Sequence, residues 1–154
     1  MKAIQLIKFL GESVNNPSFL EFLETNNLDT KKFPKSERGK NQRSKLMCPI
    51  SKLHGIELRF GFEKEVLELY EIIFSKPQSD GLQPIFEIEY PFGLHLNQKN
   101  ADYEIILGNF VGFDEPQSRD YFYKNYAITI FFEPSDVNKK IKSIEISFAQ
   151  NLTS

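Results

Sequence analysis

The stretch GIELRFGFEKEVLELYEIIF at residues 55–74 decides the fold of this chain. From Ile56 to Phe62, apolar side chains occupy every second position, and Glu57, Arg59 and Gly61 stand between them. A period of two is typical of a strand with one buried and one solvated face. The pattern predicts a hairpin that turns at Glu63-Lys64. The return strand 65–74 is apolar on both faces in places, which predicts a central position in a sheet.

A second hairpin is predicted near the end of the chain. The runs YAITIFFE (126–133) and IKSIEISF (141–148) are joined through PSDVNKK. In the last strand Ile144, Ile146 and Phe148 point one way, and the residues between them point the other way. Asp120–Tyr123 predicts a short strand that precedes this hairpin.

Three helices are predicted before these strands. Apolar residues at helical spacing indicate the first helix, over residues 3–10. The pair Asn16-Pro17 opens the second, because asparagine is a good N-cap and proline is tolerated at the first helical position. Asn26-Asn27 ends that helix. The third covers Asn97–Leu107, with Asn97 as its cap and Gly108 as its stop.

The order of these elements predicts an α+β fold of two αβββ units. We expect one antiparallel sheet of about six strands with helices on one face. A short strand near Leu46–Cys48 completes the first unit, and Pro49 would keep it at an edge or an end. We interpret residues 1–154 as a single domain, with unit one at 1–75, a linker at 76–90 and unit two at 91–150.

The charge of the chain is unevenly distributed. The net charge is −2, but residues 31–45 carry seven basic residues and one acidic residue, a local charge of +6. The rest of the chain therefore carries −8. We interpret residues 31–45 as a mobile loop, because they lack apolar periodicity. A pI near 5.8 disfavours direct nucleic-acid binding.

Composition predicts a cytoplasmic protein without a membrane partner. The single cysteine, Cys48, fits a reducing compartment. The apolar stretch at the N-terminus is broken by Gln5 and Lys8 and lacks a cleavage-site pattern, so we interpret it as a helix. No stretch approaches the roughly 18 apolar residues that would predict a membrane span.

The sequence contains no recognisable catalytic or metal-binding constellation, and we expect a non-enzymatic protein without a cofactor. The two histidines, His54 and His95, each lie near a glycine just before an element. A histidine-dependent nuclease would need both in one cleft, and nothing in the sequence brings them together. Strand carboxylates are expected on a solvated sheet face, in preference to a paired-carboxylate active site; they are Glu57, Glu68 and Glu145.

The stretch DEPQSRDYFYKNY at residues 114–126 is the candidate partner-binding surface. Tyrosine is enriched at binding hot spots, and carboxylates complement a basic partner. The alternative is that Tyr121 and Tyr123 line one strand face and pack. The predicted partner-binding residues are Asp114, Glu115, Asp120, Tyr121, Tyr123 and Tyr126.

Several motifs resemble a family of small bacterial proteins found beside polymorphic toxins. In the second half these motifs are PFGL at 91–94, the pair Leu107-Gly108, the tyrosines Tyr121 and Tyr126, and IEI at 144–146. In the first half they are IKFLGESVNNPSFLEFLETNNL at 7–28 and GIELRF at 55–60. The chain departs from the family pattern in its basic segment and at Asn109-Phe110, where Lys-Pro would be expected.

The resemblance implies an immunity protein of the contact-dependent inhibition or Rhs type. Such a protein binds the C-terminal domain of its cognate toxin in the producing cell and blocks it. Many such toxins are nucleases with basic clefts, which an acidic inhibitor would complement. A non-catalytic adaptor domain remains the alternative interpretation.

Overall fold

The computed structural model describes residues 1–30, 46–51, 54–63, 66–77 and 87–149. Its helices, including one 3₁₀ turn, are Ala3–Ile7 (α1), Pro17–Thr25 (α2), Pro91–Gly93 (3₁₀) and Asn100–Leu107 (α3). Its strands are Leu46–Ser51 (β1), Ile56–Glu63 (β2), Val66–Ser75 (β3), Ser118–Tyr123 (β4), Tyr126–Phe131 (β5) and Ser143–Phe148 (β6). The predicted loop at 31–45 lies outside the described residues.

All six strands form one antiparallel sheet in the order β1-β2-β3-β6-β5-β4. Each half of the chain contributes a meander of three strands, and the two meanders meet where β3 pairs with β6. The α+β class is therefore confirmed. The return strand of the first hairpin, β3, is central as predicted. β1 is an edge strand, and its ladder is irregular between Pro49 and Ser51.

The core lies between the helices and one face of the sheet. Cross-strand neighbours on that face are apolar: Leu58 lies opposite Ile72, which lies opposite Ile146, and Ile146 lies opposite Ile128. The helices cover this face with buried side chains, which are Leu6, Ile7, Phe19, Leu23, Tyr103 and Leu107. The other face carries the polar residues that the period of two predicts. No helix in the described ranges combines the length and apolarity that a bilayer crossing needs.

The cap predicted for the second helix is confirmed. The Phe19 backbone N–H donates to Asn16 Oδ1 at 3.0 Å, and Pro17 is the first helical residue. After Thr25 the chain turns through Asn27, whose φ of 54° lies in the left-handed region that asparagine tolerates.

Long-range pairing moves two helix ends away from their predicted positions. The first helix was expected to reach Leu10 but ends at Ile7, because the residues that follow pair with β3. Gly11 N–H donates to Leu69 O at 2.8 Å, and Leu69 N–H donates to Glu12 O at 2.9 Å. The third helix begins at Asn100 and not at Asn97, whose N–H donates to Ile141 O at 2.8 Å.

Gly55 provides a test of this packing. It has a φ of +70°, and a Cβ added there would lie 2.0 Å from Ser75 O, the end of the neighbouring strand. Gly55→Ala should therefore lower the free energy of unfolding by about 3 kcal/mol or more. Gly112→Ala is the matched control, since Gly112 has a φ of +73° with nothing within 4 Å of an added Cβ. That change should cost only about 1 kcal/mol. Urea unfolding measures the stability of both variants. Equal destabilisation by the two substitutions would contradict the close approach of Gly55 to Ser75 O.

Candidate protein-binding surface

β4 divides the predicted partner-binding residues between the two faces of the sheet. Tyr121 and Tyr123 lie on the face that the helices cover, whereas Asp120 lies on the opposite face. There the Thr129 hydroxyl donates to Asp120 Oδ1 at 2.6 Å. A partner that contacts Asp120 therefore approaches the sheet from the side opposite to the tyrosines.

Tyr121 belongs to the core and not to a surface. It has no exposed area, and its hydroxyl donates to Glu104 Oε1 at 3.1 Å. Its ring meets the Tyr103 ring edge to face at 6.1 Å. Burial, followed by the nearby Glu104 carboxylate, raises the pKa of Tyr121 above its usual value. Its place in the predicted surface was wrong, and the alternative of a packed strand residue holds.

Tyr123 and Tyr126 lie half-buried in an aromatic cluster at one end of the sheet. The Tyr123 ring lies 4.9 Å from the Phe92 ring, and the Tyr126 ring lies 5.7 Å from it. The Tyr126 ring also stacks on Phe148 at 6.1 Å. Most of the contact area of these two rings is therefore internal, although part of each remains accessible.

Arg119 organises the part of the predicted surface that lies outside the core. Its guanidinium binds Asp114 through two hydrogen bonds, Nε to Oδ1 at 2.8 Å and Nη2 to Oδ2 at 3.2 Å. Its Nη1 donates to Glu104 Oε1 at 2.8 Å. The same guanidinium stacks on the Phe110 ring at 4.5 Å, and only 11% of the side chain is exposed. The hydrogen bond from Arg119 is the main reason that the pKa of Asp114 lies below its usual range.

Two highly exposed apolar side chains flank this ion-pair network. Phe113, next to Asp114, is 87% exposed, and Ile105, next to Glu104, is 84% exposed. Because Arg119 binds both carboxylates, it also holds together the segments that present these side chains. We define the α3–β4 surface as Glu104, Ile105, Phe113, Asp114 and Glu115.

Two sequence signals point to residues that the sequence analysis missed. Arg119 is the one basic residue between Asn100 and Tyr123, a range with five acidic residues. Ile105 lies midway between the buried Tyr103 and Leu107, so it faces outward on a helix. A basic residue among acids and an apolar residue on a polar helix face both mark a surface that is worth examining.

Carboxylates on the open face of the sheet surround a second arginine. Arg59 forms ion pairs with Glu57 at 3.4 Å, Glu71 at 3.2 Å and Glu145 at 3.5 Å. The four side chains are partly exposed, so we expect each exposed pair to contribute little stability. This cluster has one positive charge among three negative charges.

The two histidines lie in different environments. His54 is buried in the turn before β2, and only 4% of it is exposed. Burial, followed by the positive N-terminal amine, lowers its pKa from 6.5. His95 is exposed, and its backbone N–H donates to Gln98 Oε1 at 3.2 Å. Within the described ranges, no group of three or more histidine, cysteine or acidic side chains is placed to hold a metal ion.

Comparisons with known proteins add a structural likeness but no family. No protein-family model matches this chain, and no curated protein matches it. Among solved structures it is similar to a DUF4309 family protein (YjgB) from Bacillus subtilis, with 8% sequence identity and a TM-score of 0.39. The alignment covers 83% of this chain and 76% of that chain. A likeness at this level carries no argument about family or function.

The Asp114–Arg119 pair should make the free energy of unfolding depend on pH. The pKa of Asp114 in the folded protein lies below 3.8, so its contribution is present above that value and is lost as the pH falls through the folded-state pKa. Asp114→Asn should therefore destabilise the protein at pH 7, and its difference from wild type should shrink below about pH 4. Urea unfolding across this range measures the effect. In an Arg119→Met background, Asp114→Asn should have little effect on the free energy of unfolding. If it destabilised that variant as much as it destabilises the wild type, the pairing would be refuted.

Proposed function

We propose that this protein is an immunity protein, which binds a cognate toxin domain in the cytoplasm of the producing cell and neutralises it. The proposal rests on the resemblance of its motifs to such proteins and on the α3–β4 surface. The inhibitor supplies no chemistry of its own. It covers the toxin, and the energy of the complex comes from apolar burial and opposite charge.

The observation that carries the proposal is the exposure of Ile105 and Phe113 beside carboxylates. A binding hot spot combines large apolar anchors with a polar surround that excludes water. Phe113 provides a rigid ring with two rotatable bonds, so burying it costs little side-chain entropy. Its neighbours Asp114 and Glu115 are exposed and negative, and Arg119 holds the first of them in place. A basic toxin cleft with an apolar pocket would fit this surface.

Preorganisation supports the same conclusion. Arg119 fixes the loop that carries Phe113 against α3, which carries Ile105, before any partner arrives. A partner therefore does not have to pay the full entropy of ordering the loop. The negative charge of the chain outside residues 31–45 would also speed encounter with a basic domain.

The test is co-expression with the C-terminal domain of the toxin-like protein encoded by the adjacent gene. The wild-type chain should restore growth, and Phe113→Ala should raise Kd by at least about 30-fold, as loss of a hot-spot ring does. The matched control is Phe122→Ala, an exposed phenylalanine on the opposite sheet face. Calorimetry measures both.

Two results would contradict this proposal in different ways. If Phe122→Ala weakened toxin binding more than Phe113→Ala did, the interface would lie on the open face of the sheet. Absence of a toxin-like neighbour, together with no protection against any toxin domain tested, would refute the immunity function itself.

A second prediction isolates the electrostatic contribution. Glu115→Lys should weaken toxin binding about fivefold to tenfold at low salt, and less at high salt, because added ions screen an exposed charge. Glu115 suits this test better than Asp114, whose reversal would also break the pair with Arg119. The matched control is Glu21→Lys, an exposed glutamate on α2. If Glu115→Lys and Glu21→Lys weakened toxin binding equally at both salt concentrations, the toxin would not bind at the α3–β4 surface.

A further inference from the structure

A pocket of about 320 Å³ lies where three segments of the chain meet. They are the residue after β3, the turn before α3 and the connection between β5 and β6. Ile141, which is almost fully buried, and the half-buried Leu96 supply its apolar walls. Its volume is at the lower end of the range that small-molecule sites occupy.

Backbone hydrogen bonds hold the walls of this pocket together. Asn97 N–H donates to Ile141 O at 2.8 Å, and Ile141 N–H donates to Gln98 O at 3.0 Å. Farther along the connection, the buried Tyr103 hydroxyl donates to Lys139 O at 2.9 Å. The connection is thereby fixed against the turn and the helix that follows it, so the pocket exists before any ligand enters.

The acidic groups of the pocket are already engaged. Glu133 forms an ion pair with Lys142 at 3.0 Å. The Asp136 carboxylate accepts hydrogen bonds from the backbone N–H groups of Asn138 at 2.9 Å and Lys140 at 3.2 Å. These bonds, led by the one from Asn138, also lower the pKa of Asp136. Both carboxylates of the wall therefore have partners within the protein, and three lysines against two carboxylates give the lining a net charge of +1.

Two ammonium groups remain available to a ligand. Lys76 and Lys140 both line the pocket and are exposed, and neither lies within ion-pair distance of a carboxylate in the described part of the chain, while the charge of Lys140 also helps to lower the pKa of Asp136. Lysine presents a point charge on a flexible stem, so two such groups can converge on one anion. Beside them lie Leu96 and Ile141, which would contact the apolar part of that ligand.

We propose that this pocket binds a small organic anion, a carboxylate with a short apolar chain. The carboxylate lies between the ammonium groups of Lys76 and Lys140, and the chain packs against Leu96 and Ile141. This site is separate from the α3–β4 surface, and it does not depend on the proposed immunity function.

The experiment is an NMR titration of the full chain with hexanoate, acetate and inorganic phosphate. Hexanoate should produce saturable shifts of the Leu96, Asn97 and Ile141 amides. It should reach half-saturation at a concentration at least about tenfold lower than acetate, because its extra methylenes leave water. Shifts that stay linear with hexanoate concentration, or phosphate that saturates the same amides as readily as hexanoate, would overturn the proposal.

Variants of the two lysines test whether their ammonium groups bind the carboxylate of the ligand. The double substitution Lys76→Met and Lys140→Met should raise the half-saturating hexanoate concentration at least about fivefold, since two partly exposed ion pairs are lost. The matched control, Lys8→Met, removes an exposed lysine outside the pocket and should leave the titration unchanged. Amide spectra of the variants establish that they are folded. An unchanged titration in the folded double variant would overturn the assignment.

Discussion

β3 and β6 pair antiparallel at the centre of the sheet, from Glu71 opposite Ser147 to Ser75 opposite Ser143. Ile72 and Phe74 of one strand lie opposite Ile146 and Ile144 of the other, so this ladder joins the apolar faces of the two meanders into one surface. Each meander alone has three strands, and a unit of about 60 residues buries a smaller share of its surface than a domain of about 150 residues does. The pairing of residues more than sixty positions apart is therefore the constraint on which the common core depends.

This central ladder also positions the candidate surface. β6 fixes β5, β5 fixes β4, and β4 is the last strand on that side of the sheet. On β4 the core-side position of Arg119 lies two residues from the fully buried Tyr121. An arginine in the middle of the sheet would carry a large desolvation cost. At the edge it keeps 11% of its side chain exposed and reaches two carboxylates, so it can join α3 to the loop before β4 at lower cost.

Local sequence patterns predicted the strands. They did not predict the end of α1 or the start of α3, which depend on long-range contacts. The period of two at Ile56–Phe60 and Ile144–Phe148 follows directly from one buried face, so it is readable in the sequence. The end of α1 depends on pairing between Gly11 and Leu69, and the start of α3 depends on a bond between Asn97 and Ile141. Neither partner is near in sequence, so propensity alone could not place these ends.

The candidate surface was only partly readable for a related reason. In the strand SRDYFY both faces carry an aromatic residue, so the pattern does not say which face is buried. The stretch includes the exposed carboxylates Asp114 and Glu115, but it also includes the buried Tyr121. Arg119 was overlooked because its role depends on Glu104, which a different element supplies.

The clusters around Arg59 and Arg119 are both candidate partner-binding surfaces, and they differ in how much apolar surface they expose. Each cluster has one arginine among three carboxylates, but the neighbours of the Arg59 cluster on the open face, Ala127 and Ser147, are small and buried, and Phe122 beyond them is 45% exposed. Charge alone speeds encounter but holds a complex weakly. The α3–β4 surface has two apolar side chains that are more than 80% exposed. Since affinity comes mainly from buried anchors, the surface around Arg119 is the better candidate, and the open face can contribute to steering.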